Sequence, residues 1–452
     1  MTQLSTLNLG FLEFIYLILI FLAGILITYF TLPYIIKAMK SKGYTGIDVH
    51  KNLKPKVPES GGLGMLIGIS ITALLSCIFF STFLIEIIIF TLTVIFSGLI
   101  GYIDDRIRLR SRYKVILTIF TGIIIFLSSY FGLITIESPT IPFLGKLRLT
   151  IIYPFLAPFI VAIFANTVNM LEGYNGEGSG TSLIALFFLI ICSIILDSAE
   201  GLLFSIISIS VIIPFFIFNK FPSKIFPGDV GTLSIGGMFA GIALFGSLEA
   251  AVFCTLLVHI FNSFYILYSV KGFFESKDIQ EKKADVILLD NDFLKASDQR
   301  DAALTLPRLI LAKGNLKEPE LVNNFYILSL VSGLFSIITS FIVKWTIGNL
   351  DIMILLIILI ISGIIMTLMI YLFKRIRGII TLITILIIAG YLLLITIEIY
   401  IMPLKLMDIN IFGIIIPTNI LISLLLVIPG LILWYYISIK YFWKKINKMS
   451  KS

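Results

Sequence analysis

Runs of about 18 or more apolar residues follow one another along nearly the whole of this 452-residue chain. Each run is long enough to cross the ~30 Å hydrocarbon core of a bilayer. The runs are continuous and do not alternate, so the spans are helices and not the strands of a barrel. The chain is 58% hydrophobic and 13% charged, against about 45–50% and about 25% in ordinary soluble domains. A soluble fold of this size would have too little polar surface to cover itself. The fold class is therefore an all-α, polytopic membrane bundle.

Thirteen spans are predicted, at about 9–36, 62–83, 85–103, 115–135, 150–169, 180–197, 201–219, 230–246, 249–271, 322–343, 351–373, 378–401 and 411–439. With the N-terminus outside and the C-terminus inside, 30 of the 34 Lys and Arg fall on the inner side. Only Lys146, Arg148, Lys344 and Lys405 stay outside, as the positive-inside bias requires. A given basic residue is thus first an orientation signal. The net charge of +8 calls for no nucleic acid; it fits anionic headgroups and phosphorylated ligands. Residues 1–12 carry no Lys or Arg, unlike the basic start of a cleavable signal peptide, so the first helix is expected to be retained.

Cys77, Cys192 and Cys254 all lie in apolar runs, and His50 and His259 are the two histidines. No disulfide framework or Cys/His metal spacing can be built from them, and a histidine-based metal site is not expected. The one sizeable water-exposed segment is the inner loop at 272–321, with an amphipathic stretch at 284–297; loops of that length are functional or disordered. The organisation expected is a membrane domain over 1–343, including that loop, and a C-terminal membrane extension over 344–452.

Polar residues gather in four clusters, all on the inner side beside helix ends. Asp48, with Glu59 and the glycines after it, offers acceptors to hydroxyls or a base and lets a backbone approach closely; taken alone it is also an ordinary turn. Asp104 and Asp105 end the third span and run into Arg106–Lys114. Adjacent carboxylates at a membrane helix end are costly and mark function, although a helix stop with compensating charge is the plain alternative. They lie about 100° apart around the helix and should not share one role. Asn166 and Asn169 share a face at the end of the fifth span, where interhelical hydrogen bonding is the competing account, and Asn175-Gly176 follows as a turn. Phe226-Pro227-Gly228-Asp229 opens the eighth span, where Asp229 can cap the helix or stand where the dipole favours phosphate. Carboxylate and amide oxygens without His or Cys describe a hard-cation site, Mg²⁺ first and Mn²⁺ second. Such a site suits phosphoryl chemistry on a nucleotide at the membrane surface.

The series PESGG, GYIDDRIRLRSRYK, NTVNMLEGYNG, FPGD and HIFNSFY resembles the polyprenyl-phosphate N-acetylhexosamine-1-phosphate transferases. Its closest likeness is to the eukaryotic and archaeal UDP-GlcNAc–dolichyl-phosphate transferases that start N-glycan assembly. The match runs over about 10–343 in the same order. The resemblance implies catalytic roles for Asp104, Asp105 and Lys114, with Lys114 and Asn166 toward the lipid phosphate. It implies Asn169 and Asp229 as Mg²⁺ ligands, Asn175 and Phe226 on the uracil, and Asp48 and Glu59 lining the nucleotide-sugar pocket. The implied substrates are UDP-GlcNAc and dolichyl or polyprenyl phosphate, at a cytoplasmic site in a cell or endoplasmic-reticulum membrane. The family context also leaves a homodimer open. In the long loop, Pro307-Arg308 matches a sugar-contacting motif, with Arg308 assigned to the nucleotide sugar, but the preceding basic residues are missing. No histidine cluster of the bacterial muramyl-pentapeptide branch is present. Abundant Ile and Lys, with this motif branch, suggest an archaeal source.

Two other classes compete. A transporter would place polar groups mid-membrane on broken helices in repeated halves, whereas these spans have apolar middles and no repeat. A lipid-binding scaffold would not need Asp104, Asp105, Asn169 and Asp229 together. Among enzymes, the same reaction with another UDP-N-acetylhexosamine is the alternative.

Overall fold

The computed structural model describes residues 10–147, 149, 152–271, 279, 283–404, 409–411, 414–416 and 418–449. Arg148, Lys405 and most of the start of the long inner loop lie outside the described residues. Among those described, twelve helices are long and apolar enough to cross a membrane. The chain is an integral, multi-pass membrane protein.

In chain order, α1 (Phe11–Ser41) leads into a hairpin of β1 (Thr45–Ile47) and β2 (Lys56–Pro58). Then come α2 (Gly62–Phe79), α3 (Leu84–Ile107), α4 (Ser111–Tyr130), the short strands β3 (Thr140–Ile141) and β4 (Gly145–Lys146), and α5 (Ile152–Asn169). Next are α6 (Glu177–Ile195), α7 (Ala199–Asn219), α8 (Gly228–Gly246), α9 (Glu249–Thr255) and α10 (Leu257–Val270). The ninth span predicted from sequence is thus two helices, bent by 69°. The Thr255 hydroxyl binds the Val252 carbonyl, and Leu256 leaves helical geometry at φ −93°, ψ 12°.

The amphipathic stretch of the long loop is an antiparallel sheet of β5 (Val286–Leu288), β6 (Phe293–Ala296) and β7 (Leu316–Lys317), with α11 (Leu306–Leu311) inserted before the last strand. α12 (Glu318–Thr346), α13 (Ile352–Leu372), α14 (Arg377–Tyr400), the strands β8 (Ile409–Ile411) and β9 (Ile414–Ile416), and α15 (Thr418–Met449) complete the chain. The last span therefore begins later than its apolar pattern suggests. Ile416 precedes Pro417, a position biased away from helix.

α8 is the axis of the bundle, with α3, α5, α7 and α2 against it. Packing between membrane helices depends on small residues that let backbones approach. A Cβ on Gly101 of α3 would meet the backbone at Asp229–Val230, one on Gly62 of α2 would meet the backbone at Val230–Gly231, and one on Gly236 would meet Ala165 of α5. The C-terminal spans also reach this half of the molecule. On α15, Trp434 stacks on Phe261 at 5.9 Å and Phe442 packs on Tyr265 at 5.0 Å, so α15 covers α10.

Gly101→Ala should lower the melting temperature in detergent by several degrees or abolish folded yield, since overpacking costs about 1–3 kcal/mol. Gly363→Ala, where a Cβ meets nothing within 4 Å, is the control and should melt like wild type.

Candidate active site

Four helix ends meet beside the α3–α8 contact. α3 stops at Arg108, left-handed at φ 45°. α4 restarts at Ser111, which puts Lys114 in its first turn and points it back at α3. α8 opens at Gly228 with Asp229 in its first turn, and α5 ends on Asn169. The N-termini of α4 and α8 bring the positive ends of two helix dipoles to one place, a setting that favours phosphate.

The buried Lys114 ammonium bridges Asp104 and Asp229, reaching Asp229 Oδ2 at 2.6 Å. Asp104 also accepts from the Leu109 N–H. Asp105 turns the other way, as its angle on the helix requires. It accepts from the Asp229 N–H at 2.7 Å and from the Ser60 hydroxyl at 2.7 Å. Gly228 (φ 64°) makes that approach feasible, because a Cβ there would strike the Asp105 carboxylate. Asn169 donates to Asp229 Oδ1 at 2.9 Å and Thr232 Oγ1 at 2.7 Å. Asn166 is one turn deeper and spends its amide on Thr118 and the Ala162 carbonyl; here the interhelical account holds.

Arg106 lies over Tyr44 at 3.5 Å and donates to Ser60, while Arg108, Arg110 and Arg112 are exposed. Three carboxylates against Lys114 and Arg106 leave one formal negative charge in excess. Their oxygens, with the Asn169 carboxamide turned from its Nδ2 contact on Asp229, would suit a hard divalent cation such as Mg²⁺, for which Asp229 and Asn169 are the candidate holders.

Asn175 anchors a second group. Its side chain donates to Asp48 at 3.0 Å and to Glu318 at 3.5 Å, and its backbone N–H donates to Glu318 at 2.7 Å. Asp48, His50 and Glu318 bring ligand atoms within 4.8 Å of one another. Lys51 pairs with Asp48 and stands 4.0 Å from Glu318, so the chain itself supplies positive charge there. Glu59 lies against Gly46 of β1. Phe226 is half-buried, and its backbone joins Pro58 and Gly61.

The sequence profile of glycosyl transferase family 4 matches residues 87–247, the stretch that supplies Asp104, Asp105, Lys114, Asn169 and Asp229. A Sulfolobus acidocaldarius protein, provisionally named a UDP-N-acetylglucosamine–dolichyl-phosphate N-acetylglucosaminephosphotransferase, is 34% identical over 53% of this chain and 74% of the relative. A Methanocaldococcus jannaschii protein, provisionally named a glycosyltransferase, is 31% identical over 66% of this chain and 88% of its own length. The chain belongs to glycosyl transferase family 4. The family likeness extends to the phospho-N-acetylmuramoyl-pentapeptide-transferase of Staphylococcus haemolyticus, 31% identical over 56% of this chain and 83% of the relative.

Within this family member, Arg308 directs the hydrogen bonds of its guanidinium to its own loop, not to the Asn175 or Asp229 groups. It is fully buried, and its guanidinium donates to the carbonyls of Ser297, Gln299, Ala302 and Ala303. Arg308 folds the loop instead of projecting from it. Glu318, Lys51, Ser60 and Thr232 were not among the candidates read from sequence. Glu318 lies 143 residues from its partner Asn175, and the Lys-Glu-Pro-Glu start of α12 reads only as a helix N-terminus.

Burial raises the Glu172 carboxyl from 4.5 to about 8 and lowers His50, stacked on Tyr174 at 4.3 Å, from 6.5 to about 4. Both shifts favour the neutral form. The Glu172 contribution to stability is complete below about pH 4.5 and is lost as pH rises through about 8. The His50 contribution is complete above about pH 6.5 and is lost as pH falls through about 4. Melting curves should therefore show Glu172→Gln less sensitive than wild type between pH 6 and 8, and His50→Phe less sensitive between pH 6 and 4. Parallel pH profiles in variant and wild type would contradict this.

Proposed function

We propose that this protein transfers N-acetylglucosamine-1-phosphate from UDP-GlcNAc to dolichyl or another polyprenyl phosphate, releasing UMP, at a cytoplasmic site and with Mg²⁺. The observation that carries the reading is the buried Lys114 bridge between Asp104 and Asp229, at the meeting of two helix N-termini and beside exposed arginines. It is a membrane-level site built for two phosphorylated substrates. The named relative from Sulfolobus supports the donor and the acceptor.

An oxygen of the lipid phosphate attacks the β-phosphorus. The new P–O bond forms as the bond from β-phosphorus to the bridging oxygen breaks, and that oxygen leaves on UMP. A phosphate monoester, with a second pKa near about 6, is largely dianionic at neutral pH, so the nucleophile needs no strong base. Repulsion between two anions is the larger obstacle. Lys114 and the positive dipole ends of α4 and α8 lower it, and Arg108, Arg110 and Arg112 draw the lipid headgroup to the rim. Asp104 holds the Lys114 ammonium in place, so its part is positioning. Asp105 fixes the first turn of α8 through the Asp229 N–H. Positioning and electrostatics are the expected sources of rate. A Mg²⁺ held by Asp229 and Asn169 would supply Lewis-acid neutralisation of charge on the diphosphate. Uracil recognition belongs to the Asn175 turn and Phe226. Because Arg308 is turned inward, the loop offers the sugar different groups from a projecting arginine, which keeps another UDP-N-acetylhexosamine as the second reading.

UMP release should be measured in detergent with UDP-GlcNAc, dolichyl phosphate and Mg²⁺. Release should require both lipid and metal. Asp229→Ala should cut it by about a hundredfold or more, as removal of several kcal/mol of charge stabilisation would. Activity with UDP-GalNAc and not UDP-GlcNAc would move the donor to the second reading. Silence with every UDP-sugar, from folded protein, would reject the reaction.

A further inference from the structure

α10 carries a side chain that no part of the reaction above uses. Asn262 is 3% exposed and makes one hydrogen bond at each end of its carboxamide. Its Nδ2 donates to the Met170 carbonyl at 2.9 Å, and its Oδ1 accepts from the Leu306 N–H at 3.0 Å. Both partners are backbone groups of fixed polarity, so the chemistry admits one orientation of the amide. Met170 directly follows Asn169, and the 170–176 turn then reaches Asn175. Leu306 is the first residue of α11. One amide therefore ties the turn that carries the phosphate and nucleobase groups to the loop that α11 anchors.

The surroundings make this tie a rigid one. Two turns along the same face of α10, the Ser269 hydroxyl accepts from the Leu304 N–H at 3.0 Å. His259, one turn the other way, meets Thr181 of α6 at 3.2 Å. Thr305 caps α11 and binds the buried Asp285. On the flank of α10 that carries Phe261 and Tyr265, Trp434 and Phe442 of α15 cover the helix. His50, Tyr174, Asn262, Asp285 and Thr305 line one small cavity where the β1–β2 connection, the 170–176 turn and the loop meet. Without Asn262, the Met170 carbonyl and the Leu306 N–H would both lose their side-chain partner at a buried position, a cost relieved by moving one segment away from the other.

We propose that Asn262 is a positioning residue that sets the spacing between the 169–176 turn and the α11 loop, which line one cavity, and so keeps the Asn169 and Asn175 side chains in register for the nucleotide sugar. It touches no substrate. This rests on the proposed reaction only for the identity of the ligand.

The two ends of the amide can be tested apart. Asn262→Leu removes both bonds while keeping the same branched arrangement of side-chain heavy atoms. Leu306→Pro leaves the Met170 bond in place and removes the N–H at the loop end, together with a buried leucine side chain. That position is the first of a helix, where proline is favoured, and Thr305 before it is already extended at φ −141°, ψ 157°. Asn262→Asp keeps the acceptor and can donate to Met170 only while protonated.

For purified protein, the half-saturating concentrations of UDP-GlcNAc and Mg²⁺ in UMP release are read together, with UDP-GlcNAc binding measured separately by calorimetry. Asn262→Leu should raise both constants about tenfold or more, the scale of lost outer-shell support. Leu306→Pro should raise the UDP-GlcNAc value while the Mg²⁺ value stays within about twofold, well below that scale. Asn262→Asp should approach wild type at low pH and weaken as pH rises, read only at pH values where its melting curve shows folded protein, since a buried carboxylate also destabilises the fold as it ionises. Folded variants with wild-type constants, or with a lower maximal rate and both constants unchanged, would overturn the proposal. If Asn262→Leu fails to fold, the other two variants decide. Wild-type protein that binds no UDP-GlcNAc would count against the proposed reaction, whereas equal binding by wild type and Asn262→Leu would count against Asn262.

Discussion

A buried ammonium between two carboxylates organises this membrane protein. Lys114 can be removed from water only because Asp104 and Asp229 receive it, and they can be buried only because it is there. Leaving one member of such a group alone costs about 3–5 kcal/mol, so the first turns of α4 and α8 and the last turn of α3 are held to one another. The same arrangement concentrates the positive ends of two helices and an excess of carboxylate oxygen in one small volume. Stability and chemistry therefore draw on the same residues. Lys114 has a structural and a functional reason to be a lysine, and substitutions there will not separate the two.

That close meeting depends on side chains that are missing. Gly62, Gly101 and Gly228 let α2, α3 and Asp105 reach the backbone of the α8 N-terminus, and bulkier residues would hold the carboxylates out of range. Around this compact half, the region of Asn175 is assembled from short segments: the β1–β2 hairpin, the 170–176 turn, the first turn of α12 and the α11 loop. Each is secured by buried polar contacts, Arg308 within the loop and Glu318 at the Asn175 turn among them. α10 stands between the two halves, and α15 packs on its outer face, so the C-terminal spans are part of the support for the site.

Much of this was legible in the residues. Apolar periodicity located the spans, because a bilayer imposes a length. Asp104, Asp105, Asn169 and Asp229 stood out because ionisable and amide groups at membrane helix ends are costly, Lys114 only through the family resemblance, and the structure brings all five together. Asn166 and Arg308 were equally visible, yet their partners lie within the fold: Thr118 for one, four loop carbonyls for the other. A polar residue in a sequence announces that it needs partners and does not say whether they are substrate or protein. The break between α9 and α10 and the late start of α15 were hidden by unbroken apolar runs, since hydropathy does not record a bend.

The sequence alone determined that the chain spans a membrane many times and that its charges gather at helix ends. These follow from the cost of moving polar groups into hydrocarbon, which each segment bears by itself. The tertiary structure alone decided which partner each polar group has: Asp104 with Lys114, Asp105 with the Asp229 N–H, Glu318 with Asn175 across 143 residues, and Asn262 with two backbones at once. Hydrogen bonds are short-ranged and directional, so their pairing depends on where helices come to rest against one another, and no local pattern in the chain records that.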